Sequence, residues 1–386
     1  MKSKNNPKNH KSRMHILMVA GETSGDYLGA EMIAEWNKKH KENPISFWGF
    51  GGTQMKKQGM EVLHTVEELH TIGILEALKN YRRLKRYMNE LVKKAKEEKP
   101  KAAVLIDYPG FNLRLAKKLH KLGIPCYQVV SPQIWAWNYR RVKIMKKVLS
   151  GVFCLYPFEP DIYKKEGVPA YFVSHPLVKK TKTAMSKFRA SKISAHRSNT
   201  VALLPGSRHS EIEKLLPFLL DIAADLKNDF PRIKILMPIP DTEIQEYVKS
   251  FSIPEYIKLM PGKVQEALYK SKAAVACSGT VTLEAALLET PFVLIYKTSA
   301  TTYHIWKRIV KVKWIGLVNL LLGREVVKEF IQHEMRHESV YVELTRLLTD
   351  DAYYQEILSS FRELKKNLGD GAMAKHTVNI LDDLIF

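Results

Sequence analysis

Short apolar runs alternate with amphipathic stretches of helical length along most of the chain, and this alternation narrows the fold more than any other feature. Ile16–Ala20 precedes a helix-like stretch from about Asp26 to Lys39, Ala103–Ile106 precedes Phe111 to Leu122, and Gly151–Leu155 precedes Phe158 to Glu166. An apolar strand followed by a crossover helix is the repeating unit of a parallel sheet covered on both faces. The rhythm restarts with Val201–Leu204, Ile233–Met237, Ala273–Cys277 and Phe292–Ile295, and helices are expected at Ser210–Lys227 and Val281–Glu289. Between the two series, Lys179 to Thr200 carries seven Lys or Arg and no acid, and reads as a linker with little periodicity. A length of 386 residues also exceeds the roughly 100–200 of one ordinary domain. The expected organisation is a basic tail over 1–13, an α/β domain over 14–178, a linker over 179–200, a second α/β domain over 201–340, and helices over 341–386.

With 61 Lys plus Arg against 40 Asp plus Glu, the formal charge is +21, which points to nucleic acid, an anionic membrane or a phosphorylated substrate. A hydrophobic fraction of 45% supplies material for cores and argues against disorder. Cys126, Cys154 and Cys277 are too few and too scattered for a disulfide framework or a metal-binding pair, so a reducing cytoplasm is expected. Met1 to Arg13 has the basic character of a signal-peptide head, but the apolar run behind it stops at Gly21-Glu22, so no secretion is expected. Trp314 to Leu322 falls short of the roughly 20 residues needed to cross a bilayer, which leaves only peripheral membrane contact.

Ligands of open parallel sheets sit at the carboxyl ends of strands, so the loops there are where chemistry is expected. Gly21-Glu-Thr-Ser-Gly-Asp26 reads either as a ligand loop or as a plain strand–helix turn in which Ser24 and Asp26 cap the next helix. Gly49-Phe-Gly-Gly52 is a second glycine-rich turn. Asp107 ends an apolar strand and opens Asp107-Tyr-Pro-Gly-Phe-Asn112, the place for a general base acting on a bound hydroxyl; the competing reading is a turn cap. Ser131-Pro-Gln-Ile-Trp-Ala-Trp137 places two tryptophans after a strand, as core or as a shaped loop. In the second domain, Pro205-Gly-Ser-Arg-His-Ser-Glu211 brings Gly206, Ser207 and Arg208 to a helix start, an arrangement that favours phosphate. Ser278-Gly279-Thr280 repeats it, and the pair suggests a nucleotide diphosphate, with Glu284 on the following helix for ribose hydroxyls.

Taken in order, Gly21–Asp26, Asp107–Asn112, Val130–Trp137, Tyr156-Pro-Phe-Glu-Pro160, His175-Pro-Leu177, Leu204–Arg208, Ser278–Thr280, Gly316-Leu-Val-Asn-Leu-Leu-Leu-Gly-Arg-Glu325 and Glu329-Phe-Ile-Gln332 resemble the lipid A disaccharide synthase family over roughly Met14 to Gln332. Val318 departs from that family's usual Pro, and Ser174 from its usual Gly. The resemblance implies an α/β fold of the B glycosyltransferase type, two Rossmann-like domains facing a cleft, with an acceptor-side first domain, a UDP-sugar-binding second domain and a helical C-terminal tail. It implies inverting transfer from UDP-2,3-diacylglucosamine to 2,3-diacylglucosamine 1-phosphate, giving a β-1,6-linked disaccharide phosphate and UDP. No cofactor and no metal are expected. Asp107, Arg208 and Glu22 form the expected catalytic set; Gly206, Ser207, Arg208, Ser278, Gly279, Thr280 and Glu284 the UDP contacts; and Ser24, Asn112, Asn319 and Gln332 the substrate contacts.

The nearest alternative is another UDP-N-acetylglucosamine transferase or an epimerase on the same scaffold. A zinc hydrolase would use His333-Glu-Met-Arg-His337 with Glu356, but the charged Arg336 between the histidines is unfavourable there. A nucleic-acid binder rests on charge alone, with no recognition motif behind it. The excess charge is better assigned to the anionic inner-membrane surface, with the protein peripheral on its cytoplasmic face and a homodimer left open. From Ile72 a stripe of Ile74, Leu75, Leu78, Tyr81, Leu84, Met88 and Leu91 is set against Lys79, Arg82, Arg83, Lys85 and Arg86, and Tyr303–Trp314 is a second basic and aromatic segment. A core-facing stripe with a solvated basic face explains the first pattern equally well.

Overall fold

Both series of apolar runs become parallel sheets in the computed structural model, which describes residues 14–69, 74–191, 193, 199–240, 242–299, 303 and 312–386. The first sheet contains β1 (His15–Ala20), β2 (Ser46–Gly51), β3 (Glu61–Thr65), β4 (Ala102–Ile106), β5 (Cys126–Val129), β6 (Gly151–Cys154) and β7 (Ala170–Phe172), in the order 3-2-1-4-5-6-7. β8 (Thr200–Leu204), β9 (Lys234–Ile239), β10 (Ile257–Pro261), β11 (Ala273–Cys277), β12 (Phe292–Tyr296) and β13 (Glu329–Ile331) form the second, in the order 10-9-8-11-12-13. Every described strand pair is parallel. Each sheet reverses its winding once, at β1/β4 and at β8/β11, the topological switch points of doubly wound folds.

Alternation along β1 and β4 divides the core of the first sheet between two faces. Leu17, Val19, Ala103 and Leu105 pack into one buried cluster, while Ile16, Met18, Ala20, Ala102, Val104 and Ile106 pack into the other. That two-sided burial is why these strands read as continuous apolar runs. All three cysteines are free and buried. Among the described residues, no helix is long and apolar enough to cross a membrane.

The chain divides into two compact units: one takes the chain through Ile134, then Asn138–Ser174 and Ala372–Phe386; the other holds Trp135–Trp137 and His175–Gly371. The C-terminal helices are therefore shared. His337–Thr349 and Asp351–Asn367 stay with the second unit, while Met373–Ile385 packs on Thr23–Lys39 of the first, where Asp382 meets Lys39 at 2.8 Å and His40 at 2.6 Å. Much of the expected linker is helical: Pro176–Ala190 forms one continuous helix. Its start is defined by Pro176 at the first helical position and by the His175 ring accepting the Leu177 N–H at 3.2 Å. Ser174, where the resembling family has Gly, has φ +71°, a left-handed conformation that Gly adopts without strain.

Helix Ile74–Glu98 settles one of the open patterns for the part of it whose side chains are described. Tyr87, Met88, Leu91 and Ala95 are buried in the first unit's core with Leu84 packed against them, while Arg82, Lys85 and Arg86 are exposed. Ile72 and residues 304–311 of the second basic segment lie outside the described residues.

Candidate active site

The switch point of the first sheet is built around Asp107, and its backbone is strained. Asp107 and Tyr108 have φ +51° and +42°, and Val130, across the sheet, has φ +63°. Such conformations cost non-glycine residues of the order of 1 kcal/mol or more and persist only where the surroundings enforce them. Two buried amides do so here: Asn112 Nδ2 donates to the Asp107 carbonyl at 2.7 Å, and Gln128 Nε2 donates to the same oxygen at 2.9 Å. Asn112 Oδ1 and Gln128 Oε1 are left buried without partners. Above the clasp, Asp107 Oδ1 accepts the Tyr108 N–H at 2.9 Å. The carboxyl is half-buried; burial, then the nearby charge of Glu22, push its pKa above the ordinary carboxylate value. A carboxylate that holds its proton more tightly is a better base.

Gly21 is required by this arrangement, since a Cβ there would lie 2.4 Å from the Tyr108 ring. Glu22 and Ser24 are exposed at the start of helix Thr23–Lys39, on the same side of the switch point. Asp26 does not cap its own helix. It is buried and accepts N–H bonds from Gly52 at 2.7 Å, Gln54 at 2.9 Å and Met55 at 2.9 Å, so it caps the separate helix Thr53–Lys57. The second glycine-rich turn thereby has a structural explanation, because a Cβ on Gly52 would come within 2.6 Å of Asp26 Oδ2. Ser131 also has a structural role: its hydroxyl donates to the buried Glu159 at 2.6 Å, and Tyr163 holds the Pro132 carbonyl. Trp137 is exposed, not core.

At the second switch point, the loops after β8 and β11 border one cavity of about 340 Å³, lined among others by Gly206, Ser207, Arg208, Ser278, Gly279, Thr280 and Glu284. Those are the seven residues expected to contact UDP, and the structure brings all of them together. Arg208 reaches into solvent, 79% exposed, and among the described residues its guanidinium makes one long 3.5 Å contact, to Glu211. Glu211 was not anticipated as a site residue. Its carboxylate folds back to accept the Ser207 N–H at 3.0 Å and the Arg208 N–H at 3.3 Å, beneath Gly206 at φ +111°. Two N–H groups of the first phosphate-type loop are thus already engaged, as in the returning half of a capping box. In the second loop the Ser278 N–H donates to the Ile295 carbonyl and the Thr282 N–H to the Gly279 carbonyl, both at 3.1 Å, while the Thr280 and Val281 N–H groups at the helix start have no intrahelical acceptor. Glu284, which borders the cavity, receives Gln265 Nε2 at 2.9 Å and Lys180 Nζ at 3.2 Å, both through Oε1, and its Oε2 has no bond among the described residues.

Asn319 and Gln332 do not line that cavity. Asn319 is fully buried; its amide donates to the Val327 carbonyl and Glu329 at 2.8 Å, and its oxygen accepts the Val326 and Val327 N–H groups, so all its bonding capacity goes to the fold. Gln332 bridges both backbone groups of Thr298. Burial raises the pKa of Glu329, which the Ile315 and Gly316 N–H groups and Asn319 partly offset. His333 lies in a single turn of 3₁₀ helix and His337 begins the next helix, so the two histidines do not share the helical face that a zinc hydrolase needs. His337 instead meets Asp225 at 3.4 Å.

The family model described as lipid-A-disaccharide synthetase matches residues 16–380. A lipid-A-disaccharide synthase of Myxococcus xanthus (strain DK1622) is 37% identical over 372 residues, covering 95% of this chain and 97% of that protein. One from Coxiella burnetii (strain CbuG_Q212) is 36% identical, covering 97% and 100%. Among solved structures, the UDP-GlcNAc 2-epimerase of Neisseria meningitidis superposes with TM-score 0.65 at 12% identity over 96% of this chain and all of that one. The glycotransferase of kitacinnamycin superposes with TM-score 0.63 at 12% identity, over 96% and 98%. At such identities the structural likeness concerns the fold.

Proposed function

The chain belongs to the lipid-A-disaccharide synthetase family, and on that premise we propose that Asp107 is its general base and that the loops after β8 and β11 hold its nucleotide. The chain is a glycosyltransferase of lipid A biosynthesis, using a UDP-sugar and a lipid-linked glucosamine. The finer reading names UDP-2,3-diacylglucosamine as donor and 2,3-diacylglucosamine 1-phosphate as acceptor. Asp107 takes the proton of the acceptor hydroxyl as that oxygen attacks the donor's anomeric carbon. The bond from this carbon to the pyrophosphate oxygen breaks with inversion, and UDP leaves carrying the electron pair. Arg208 and the first N–H groups of helix Thr280–Leu287 meet the departing charge, as preorganised donors do in transfer reactions. Glu284 Oε2 accepts from ribose hydroxyls, and Glu22 and Ser24 face the acceptor. Asn112, Asn319 and Gln332 act in this reading by holding loops, since Asn112 Nδ2 and the polar atoms of Asn319 and Gln332 bond to backbone or neighbouring side chains, Asn112 Oδ1 alone having no partner.

The observation that carries the proposal is the raised pKa of a half-buried carboxylate placed by two amides at one switch point. The phosphate-type loops at the other supply its counterpart. In this reading the enzyme works in the cytoplasm, at the cytoplasmic face of the inner membrane, where a diacylated acceptor would reside. Incubation of purified protein with both substrates should give the disaccharide 1-phosphate and UDP in equal amounts. No disaccharide, or equal turnover of a non-acylated donor, would overturn the substrate reading. A C2 epimer formed from UDP-N-acetylglucosamine alone would favour the epimerase instead.

A further inference from the structure

We propose that the groove between helices Ile74–Glu98 and Pro109–His120 binds an acyl chain of the acceptor, with the acceptor's phosphate against Arg114; the inference rests on the glycosyl-transfer reading above. The groove encloses about 320 Å³ in the first unit. That is at the lower end of small-ligand pockets, about 300–1,000 Å³, and suits one chain better than a whole diacylated sugar. Leu84, Met88 and Phe111 form its apolar walls, and Met88 and Phe111 belong to the buried core, so the surface is preformed.

Lys85, Arg114 and Lys118 also line the groove, and no carboxylate does. Lys118 donates to Asn89 at 2.7 Å, whereas Lys85 and Arg114 have no ion pair among the described residues. An apolar floor under unpaired cations is complementary to an amphiphile with an anionic head. A nucleotide or a nucleic acid has no use for the aliphatic wall. On the other side of helix Pro109–His120 lies a smaller groove of about 200 Å³, with Leu113 and Ile144 on its walls, and Arg114 borders both. Two apolar grooves that meet at one guanidinium match a sugar phosphate whose ring carries two acyl chains beside the phosphate.

Position ties the groove to the chemistry. Tyr108 lines it, and the Tyr108 N–H is bonded to Asp107 Oδ1. A lipid seated there would bring its sugar to the proposed base, and acyl recognition would then orient the hydroxyl that reacts.

The test is calorimetric titration with dodecyl phosphate below its micelle concentration, with butyl phosphate and dodecyl maltoside as the chain-deficient and charge-deficient probes. Wild-type protein should bind dodecyl phosphate at least about tenfold more tightly than butyl phosphate, as burial of several methylenes requires. Leu84→Trp should remove most of that advantage and leave butyl phosphate unchanged. Arg114→Ala should weaken both phosphates by about tenfold or more and leave dodecyl maltoside unchanged, as loss of a charged hydrogen bond requires. An unchanged circular-dichroism spectrum and unfolding midpoint in urea show that the first unit of each variant is folded. Absence of dodecyl phosphate binding, or binding that neither variant alters, overturns the proposal even if disaccharide is formed. Binding that responds to both variants supports the groove even if disaccharide formation fails, in which case the enzymatic reading falls instead.

Discussion

Asp107 combines two costs that a residue with a purely structural role would have no reason to retain: a left-handed backbone and a carboxyl held partly out of water. Burial raises its pKa above that of the unfolded chain, so the native state binds this proton more tightly than the unfolded state does. The resulting stability is present below the ordinary carboxylate pKa and is lost as pH rises through the raised one, so at neutral pH the ionised group is a burden. Asp107→Asn keeps an oxygen for the Tyr108 N–H and removes the charge. It should lower kcat by roughly two to four decades, as loss of a general base does, and should raise the melting temperature at pH 7. That gain should shrink as pH falls through the raised pKa and be gone below about 4, the unperturbed carboxylate value. Calorimetry at several pH values, beside a pH–rate profile, checks both signs; activity within about threefold of wild type would remove Asp107 from the mechanism. The strand end and the turn after it made Asp107 legible from sequence. Gln128, its second clasp, was not, because it lies 21 residues away on β5 and becomes a neighbour only when β4 and β5 pair. A polar residue inside an otherwise apolar strand was the one available signal.

Among the elements, loops at strand ends were readable, but their internal hydrogen bonds were not. Small residues before a helix announced the anion-type loop at Pro205–Glu211; nothing local showed that Glu211 would take up two of its N–H groups. In the proposed site the electrostatic part of nucleotide binding then falls more heavily on Arg208 and on the helix Thr280–Leu287. Arg208→Ala should weaken UDP binding by about ten- to a hundredfold, the worth of a charge-assisted hydrogen bond. Turnover should persist in excess EDTA. Calorimetric UDP titration checks the first, and loss of activity in EDTA that magnesium restores would show that a divalent ion shares the pyrophosphate. Asp26 shows the opposite case, a loop residue whose work is structural. With three backbone N–H groups depending on it, Asp26→Ala should destabilise the first unit by about 2–4 kcal/mol in urea unfolding, a lost cap plus buried donors left unmet. The helix Pro176–Ala190 was missed as a helix because a run of basic residues without acids suggests solvation more than periodicity. Its cap, by a histidine ring instead of Ser, Thr, Asp or Asn, gave no conventional start signal.

For the molecule as a whole, the repeated strand–helix rhythm was enough to expect two parallel α/β sheets, but strand order and the crossing of the last helix depend on contacts between distant segments. Met373–Ile385 looks in sequence like any amphipathic helix; only its packing on Thr23–Lys39 assigns it to the first unit. Net charge is likewise a property of the molecule whose location composition does not reveal. Part of the +21 resolves onto the outer face of helix Ile74–Glu98, where Arg82, Arg86, Lys93 and Lys96 are exposed while Met88 and Leu91 face the core. We propose that the protein docks on an anionic membrane through this face; in the described turns such docking would rest on charge and not on insertion of the apolar stripe, which makes it sensitive to salt. At about 1 kcal/mol per basic residue near an anionic leaflet, reversing these four to Glu should lower affinity for phosphatidylglycerol-containing vesicles by about three decades or more. Flotation should show wild-type protein with the vesicles at low salt and released at high salt, with the quadruple variant unbound in both. Wild-type protein that floats equally at both salts would assign the contact to apolar insertion, and a variant that still floats at low salt would move the docking face elsewhere.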